Sequence, residues 1–352
     1  MGGKVLIFIV AAVVVPTAVF SKETCGEKSP RKWKRVRRML WGDRVSPFFA
    51  GNKRPTGLSR IATSGREIQQ KLPSDPAKKP PYFVSCFDLD ENTAFYSAYK
   101  VTPEQAKDLG KFSLNDVKVY GWRNTDVRGL DDAYSAAITD TSGSPLSRGH
   151  MNPVTLNTFD KSFMNATFTL SNAVPQFETS KNGPWRAFET RIRNYAKNTC
   201  GPRGGTLYLL TGKSDYGLRF QAGSPVQDVT TALPYPKENF PKNVKLVTPR
   251  AVWTAACCIW AEPDKFLGKL WAAKKAESFA VMSNNMDDSA LLHQTEMSVS
   301  QLEKLLRPPL LKEVNLFPGN EKCRRAENDI TLETFRFDYE YQIEYDFRIS
   351  NQ

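Results

Sequence analysis

The chain has 352 residues, a formal net charge of +12, two histidines and six cysteines. Beyond the amino-terminal run, no stretch is long and apolar enough to span a bilayer, which excludes a polytopic membrane protein and implies no stable membrane insertion. The positive excess draws such a chain to polyanions, nucleic acid or glycosaminoglycan, although solubility alone accounts for it equally well.

Residues 1–21 read as a secretory signal: Lys4, the apolar run Val5–Phe20, then Val19 and Ser21 as a small-residue cleavage pattern. The expectation is a secreted, extracellular protein with Asn165-Ala166-Thr167 as a glycosylation acceptor and cysteines suited to disulfides. Adjacent Cys257 and Cys258 cannot easily supply two tetrahedral ligands, so no zinc site is expected. Six cysteines allow about fifteen pairings, and the connectivity stays open. Within 22–81 lies a dense basic run, Arg31–Arg38 with Trp33 inside it. It suits an electrostatic arm, a pro-segment or a solvated loop. Pro73, Pro76, Pro80 and Pro81 make the stretch that follows a linker.

From Tyr82 onward short strand-like runs alternate with turn chemistry. Tyr82–Phe87 and Phe95–Val101 are expected to pair as a hairpin across Asp88–Thr93. Leu130–Thr139 is expected to be helical, Thr141–Pro145 a loop, and Thr167–Leu170 and Leu207–Leu210 buried strands. A helix is expected after Gly183, with Pro184 in its first turn and Trp185, Phe188, Ile192 and Tyr195 along one apolar stripe. Glu189 and Arg193 are four apart and share another face, a spacing that a plain ion pair also satisfies. His293 is expected to be a surface residue on a late helix. At the end, Thr334 to Ile349 alternates aromatic or aliphatic with polar residues, the period of a single long strand. Its polar face is mostly acidic, so it suits packing along the body or adding to another chain's sheet edge, a possible route to a homo-oligomer.

Three motifs stand in order. The first is Ser147-Arg148-Gly149-His150, which puts a phosphate-binding guanidinium beside a neutral-pH proton acceptor, with a glycine expected to bend the backbone so that both point into one cleft. Ser171-Asn172-Ala173-Val174-Pro175-Gln176 follows, then Asn182-Gly183-Pro184-Trp185 with Glu189 and Arg193. This set resembles the DNA/RNA non-specific endonuclease family, the ββα-metal nucleases whose signature is D-R-G-H, S-N-x-x-P-Q and N-x-x-x-W-x-x-x-E-x-x-x-R. The likeness extends to Phe95–Tyr99, Leu207–Gly212, Val247–Trp253, Ser298–Glu303 and Leu316–Pro318, roughly residues 80–318. It implies an α+β fold, a central and mostly antiparallel sheet flanked by helices. The expected division is a signal peptide at 1–21, a basic segment and linker at 22–81, the nuclease domain at 82–320 and a strand tail at 321–352.

The resemblance also implies roles. His150 becomes the general base on water, Arg148 and Arg193 hold phosphate oxygens, and Glu189 orients waters bound to a divalent cation, Mg²⁺ or Mn²⁺. Asn172 lies near the substrate and suits an architectural role better than a contact. Two departures stand out. The family aspartate before R-G-H is Ser147, which brings no charge. The family asparagine that ligates the metal falls on Lys181, and an ammonium has no lone pair to donate. Three outcomes stay open: Asn182 shifts in as the ligand, Lys181 gives its own charge to the phosphate, or the protein only binds. The reading is a secreted sugar-non-specific nuclease acting on DNA and RNA. The alternative is a catalytically impaired extracellular protein that binds nucleic acid or other polyanions, glycosaminoglycans included.

Overall fold

The computed structural model describes residues 25, 46–58, 65–117, 121–124, 129–139, 146–228, 246–263, 272–307 and 313–332. The apolar amino-terminal run, the basic run Arg31–Arg38, the Thr141–Pro145 loop and the alternating tail from Thr334 lie outside them. Among the described residues, no helix is long and apolar enough to cross a membrane.

Seven antiparallel strands make the central sheet. In chain order they are β1 (Gly65–Gln70), β2 (Phe83–Asp88), β3 (Thr93–Val101), β6 (Thr206–Ser214), β9 (Ala251–Pro263), β10 (Ala272–Asn284) and β11 (Gln294–Met297), and they are neighbours in that same order. The α+β architecture expected from the resemblance is therefore present. The β2–β3 hairpin forms where the alternation placed it, with Asp88 opposite Thr93. The sheet starts earlier than Tyr82: Gly65–Gln70 pairs along β2 inside the stretch read as linker, its apolar signal reduced to Ile68 among polar residues.

Two short hairpins stand outside this sheet, β4 (Leu146–His150) with β5 (Ala173–Phe177), and β7 (Gly217–Gln221) with β8 (Ser224–Asp228). The described helices include α1 (Pro103–Lys107), α2 (Leu130–Thr139), α3 (Lys161–Thr167), α4 (Arg186–Tyr195) and α5 (Val299–Leu306). The expected strand at Thr167–Leu170 is instead the end of α3 and a short turn. Asp160 caps α3, its carboxylate accepting from the Ser162 and Phe163 amides, and so commits the segment to helix.

Side chains alternate across β9, so neighbouring residues face opposite layers. Trp253, Ala255 and Cys257 point to the core that α5 covers, while Val252, Ala256 and Cys258 point to the core under α4. This resolves the adjacent cysteines. Cys257 bonds Cys323 on one face, Cys258 bonds Cys200 on the other, and Cys25 bonds Cys86. The Cys200 bridge ties the chain just beyond α4 to the middle of the sheet. The stripe Trp185, Phe188, Ile192 and Tyr195 is buried in that core as expected.

Candidate active site: a hairpin, a helix and an enclosed histidine

The hairpin β4–β5 is fastened to the sheet by a buried polar seam. Gln70 Nε2 donates to Ser85 Oγ at 3.0 Å and to Ser171 Oγ at 2.8 Å, Ser85 and Ser97 share a bond of 2.8 Å, and Ser97 Oγ donates to Asn172 Oδ1 at 2.8 Å. Asn172 also accepts from the Asn152 amide and donates to the Asn152 and Thr167 carbonyls. It is fully buried and its polar capacity is used. Asn172 holds the hairpin, with its polar atoms engaged inside the fold. Asn285 does the same from β10's end, bonding the Phe177 amide and the Pro175 and Pro249 carbonyls.

Within β4 the strand period does what a bend was expected to do. Arg148 and His150 are two apart in extended backbone and share a face. Gly149 points the other way, where a Cβ would stand 2.4 Å from Gln176 Oε1, so glycine is required for close approach rather than for bending. Ser147 is on that same far side, donating to the Gln176 carbonyl at 3.3 Å. The missing family aspartate therefore leaves no gap beside the His150 ring.

A helical run, Glu178–Ser180 continued by a wide turn at Lys181–Trp185, leads into α4. Lys181, Trp185 and Glu189 recur at steps of four. Glu189 accepts from the Trp185 side chain, and burial lifts its carboxyl from 4.5 to about 7 against the opposing pull of Lys181, Trp185 and Arg186. Burial lowers the Lys181 ammonium, while Glu189 and Glu178 favour its charge and Arg148 and Arg186 oppose it. Burial, with Lys181 adding to it, drops the His150 imidazole from 6.5 to about 3, which favours the neutral ring. Arg148, Lys181, His150 and Glu189 thus form one electrostatic cluster at the mouth of the hairpin–helix unit. Arg148 reaches α2 as well, its Nη2 3.4 Å from Asp131 Oδ1 and 3.3 Å from Ser135 Oγ, with the guanidinium 5.7 Å from the Tyr134 ring centroid.

Three further residues singled out in the sequence take no part in these contacts. Arg193 lies against α1's exit: its Nη2 is 2.6 Å from where a Gly110 Cβ would stand, and neighbouring Lys197 donates to the Leu109 carbonyl. Asn182, the candidate metal ligand, is exposed. His293 stands in the turn before β11 rather than on a helix, half-buried with its ring edge-on to Phe220 at 5.7 Å. The sequon is also placed: Asn165 is on α3 and Thr167 is fully buried, its hydroxyl donating to the Met164 carbonyl.

Sequence reasoning passed over what surrounds His150. Trp122 lies 4.4 Å from it, ring centroid to centroid, tilted 38°, and Phe168 stands perpendicular at 4.8 Å. Nothing in the spacing around R-G-H announces Trp122, whose only local cue is an aromatic in a turn-like stretch. Arg186, beside the signature tryptophan, was also overlooked although it acts on both Glu189 and Lys181.

A divalent cation at the position that Lys181 marks does not fit the residues present. The amino group cannot ligate, and an ammonium about 4 Å from a divalent ion is repelled by several kcal/mol at moderate effective dielectric.

Comparison with known proteins places the chain. The model of the DNA/RNA non-specific endonuclease family matches residues 64–317, and the chain belongs to that family. Three curated relatives are named "Nuclease EXOG, mitochondrial". That of Mus musculus is 44% identical over 112 residues, covering 29% of this chain and 30% of the relative. That of Homo sapiens is 43% identical over 135 residues, covering 35% and 36%. That of Xenopus laevis is 41% identical over 142 residues, covering 40% and 34%. The matches thus span about a third of those relatives' length. A solved structure titled "Crystal structure of the EndoG/EndoGI complex: Mechanism of EndoG inhibition" is similar at TM-score 0.40 and 15% identity, over 65% of this chain and 82% of that one. The expected secretion is overturned by these relatives, all named as mitochondrial. An apolar run behind a single lysine does not by itself specify an export route.

Proposed function

We propose that the protein is an endonuclease that hydrolyses phosphodiester bonds of DNA and RNA with His150 as the general base. The observation that carries this reading is the convergence of His150, Arg148, Lys181 and Glu189 on one hairpin–helix unit. The neutral imidazole takes a proton from the attacking water. Arg148 and Lys181 meet the phosphate oxygens, where fixed positive charge in a partly desolvated site offsets the charge that develops in the transition state. Ionised Glu189 keeps the Lys181 ammonium in place by Coulomb attraction. Nucleases of this family use divalent metal ions. Here the Mg²⁺ or Mn²⁺ of the sequence expectation has an ammonium at its ligand position, and no step of this reading passes through a metal.

The test uses supercoiled plasmid and a structured RNA with purified protein and its His150→Ala variant. Cleavage of both nucleic acids by the native protein, lost in the variant, is expected. Equal cleavage by the variant removes His150 from the reaction. The second reading, a binder without turnover, is favoured by Lys181 itself. It predicts salt-sensitive retention of both nucleic acids with no strand scission by either protein.

A further inference from the structure

A histidine base needs one ring nitrogen fixed so that the other presents its lone pair, usually through a hydrogen bond. Here His150 Nε2 is buried and has no hydrogen-bond partner. The ring is instead enclosed by Trp122 at 4.4 Å and Phe168 at 4.8 Å, which also meet each other at 5.7 Å. We infer that Trp122 and Phe168 are positioning residues for the base: they hold the imidazole with Nε2–H turned into the aromatic enclosure and leave Nδ1 as the atom that accepts the proton.

Four observations support this assignment. A lone pair at Nε2 would be sealed from any donor, whereas an N–H, which lies in the imidazole plane, suits the perpendicular Phe168 ring, with Trp122 over the imidazole face. Of the two ring nitrogens, only Nε2 is both buried and unpartnered. The enclosure is itself anchored. The Arg123 amide donates to the Phe168 carbonyl at 3.0 Å, the Leu170 amide donates to the Arg123 carbonyl at 2.9 Å, and the Arg123 guanidinium bonds the Asn165 and Ala166 carbonyls. Trp122 is therefore fixed to the end of α3, the same segment that carries Phe168. Finally, the perpendicular contact of His150 with Phe168 is the preferred edge-to-face arrangement of such rings.

The consequence for titration follows from desolvation. Lys181 from the helical run is the charged group that acts on the ring; the elements packed there also carry Glu189 on α4, Arg148 on the ring's own strand and Arg123 beside Trp122. Lys181 acts on His150 directly, but the aromatic enclosure removes the water that would otherwise let the ring protonate. Opening the enclosure admits that water.

The protein has two histidines, so imidazole NMR reads His150 directly once His293→Gln identifies the other signal. In the native protein, long-range ¹H–¹⁵N spectra are expected to show His150 neutral from about pH 5 to 8 with its proton on Nε2; the window brackets the ordinary imidazole value. A proton on Nδ1, or titration within that window, overturns the inference. In Trp122→Ala the His150 signal is expected to titrate inside the window, while Trp122→Phe keeps it silent. A silent His150 in Trp122→Ala overturns the inference as well. The native-protein tautomer decides the matter even where the alanine variant does not fold. The catalytic meaning rests on His150 being the base, but the spectra need no turnover, so the two readings fail separately. Where turnover is measured, Trp122→Ala is expected to lower kcat by about 10²-fold, as for a misplaced catalytic group, and to gain a second acid limb, from His150, beside the one that Glu189 sets in the native protein.

Discussion

Lys213 is buried and Lys181 half-buried, and the surroundings of these two lysines differ. Lys213, on β6, donates to Asp88 Oδ2 at 3.1 Å, Glu91 Oε2 at 2.7 Å and Thr93 Oγ1 at 2.6 Å, which uses all three of its protons. Lys181, before α4, makes no hydrogen bond to a described residue and feels Glu189, Glu178, Arg148 and Arg186 only through space. Arg148 Nε nearby is likewise buried without a partner. A saturated network costs nothing further to keep and closes the β2–β3 turn. An unsaturated one, kept in a structure whose other buried polar groups are mostly bonded, is where a ligand completes the bonding. Lys213 is scaffold, and Lys181 is the lysine that the proposed reaction uses.

The largest expected effect separates chemistry from scaffold. Replacing His150 by Ala should lower turnover by about 10²–10⁴-fold and leave the melting temperature nearly unchanged. A variant that loses activity only because it has unfolded would erase the distinction. The converse applies to Lys213→Met, which strands Asp88 and Glu91 in the interior. It should cost roughly 3–5 kcal/mol in a denaturation experiment, the usual penalty for breaking a buried charge network. Lys181→Met should cost no stability. Its expected signature is weaker DNA binding, with the slope of log affinity against log salt reduced by about one phosphate contact. If the two lysine variants melt alike, the contrast between the clusters is wrong.

Titration sharpens the comparison at smaller scale. Glu189 has its carboxyl raised from 4.5 to about 7, so its contribution to stability is full below 4.5 and is lost as pH rises through about 7. His150 runs the other way. Its imidazole is lowered from 6.5 to about 3, so its contribution is present above 6.5 and is lost as pH falls toward about 3. Glu189→Gln should therefore flatten the decline in stability between pH 4.5 and about 7. It should also abolish the rise in turnover through that range that ionised Glu189 confers on the native protein. A rise that persists in the glutamine variant belongs to another group.

Much of the fold could be read from local pattern, because period-two alternation and an apolar stripe at helical spacing report burial directly. The β2–β3 hairpin, the β6 core and the α4 stripe are of this kind. What stayed hidden depended on contacts distant in sequence. The edge strand Gly65–Gln70 is polar because Gln70 serves the seam to Ser171, a hundred residues on. Thr167–Leu170 reads as strand by composition, yet the Asp160 cap decides for helix. At the site, the residue types of the signature pointed to His150, Arg148 and Glu189. Direction was invisible: Arg193 turns to Gly110, Ser147 faces away from the ring, and Trp122 arrives from a segment that no motif connects to His150.

Lys181 stands where the family would hold a metal, and chelator tests its role most directly. Nicking of supercoiled plasmid by the native protein is to be followed in excess chelator, beside Lys181→Asn with and without Mn²⁺. The expected result is native cleavage that persists in chelator and a Lys181→Asn variant that needs Mn²⁺ and measurably binds it. Native cleavage that stops in chelator and returns with added metal, with Mn²⁺ binding unchanged by Lys181→Asn, would contradict it.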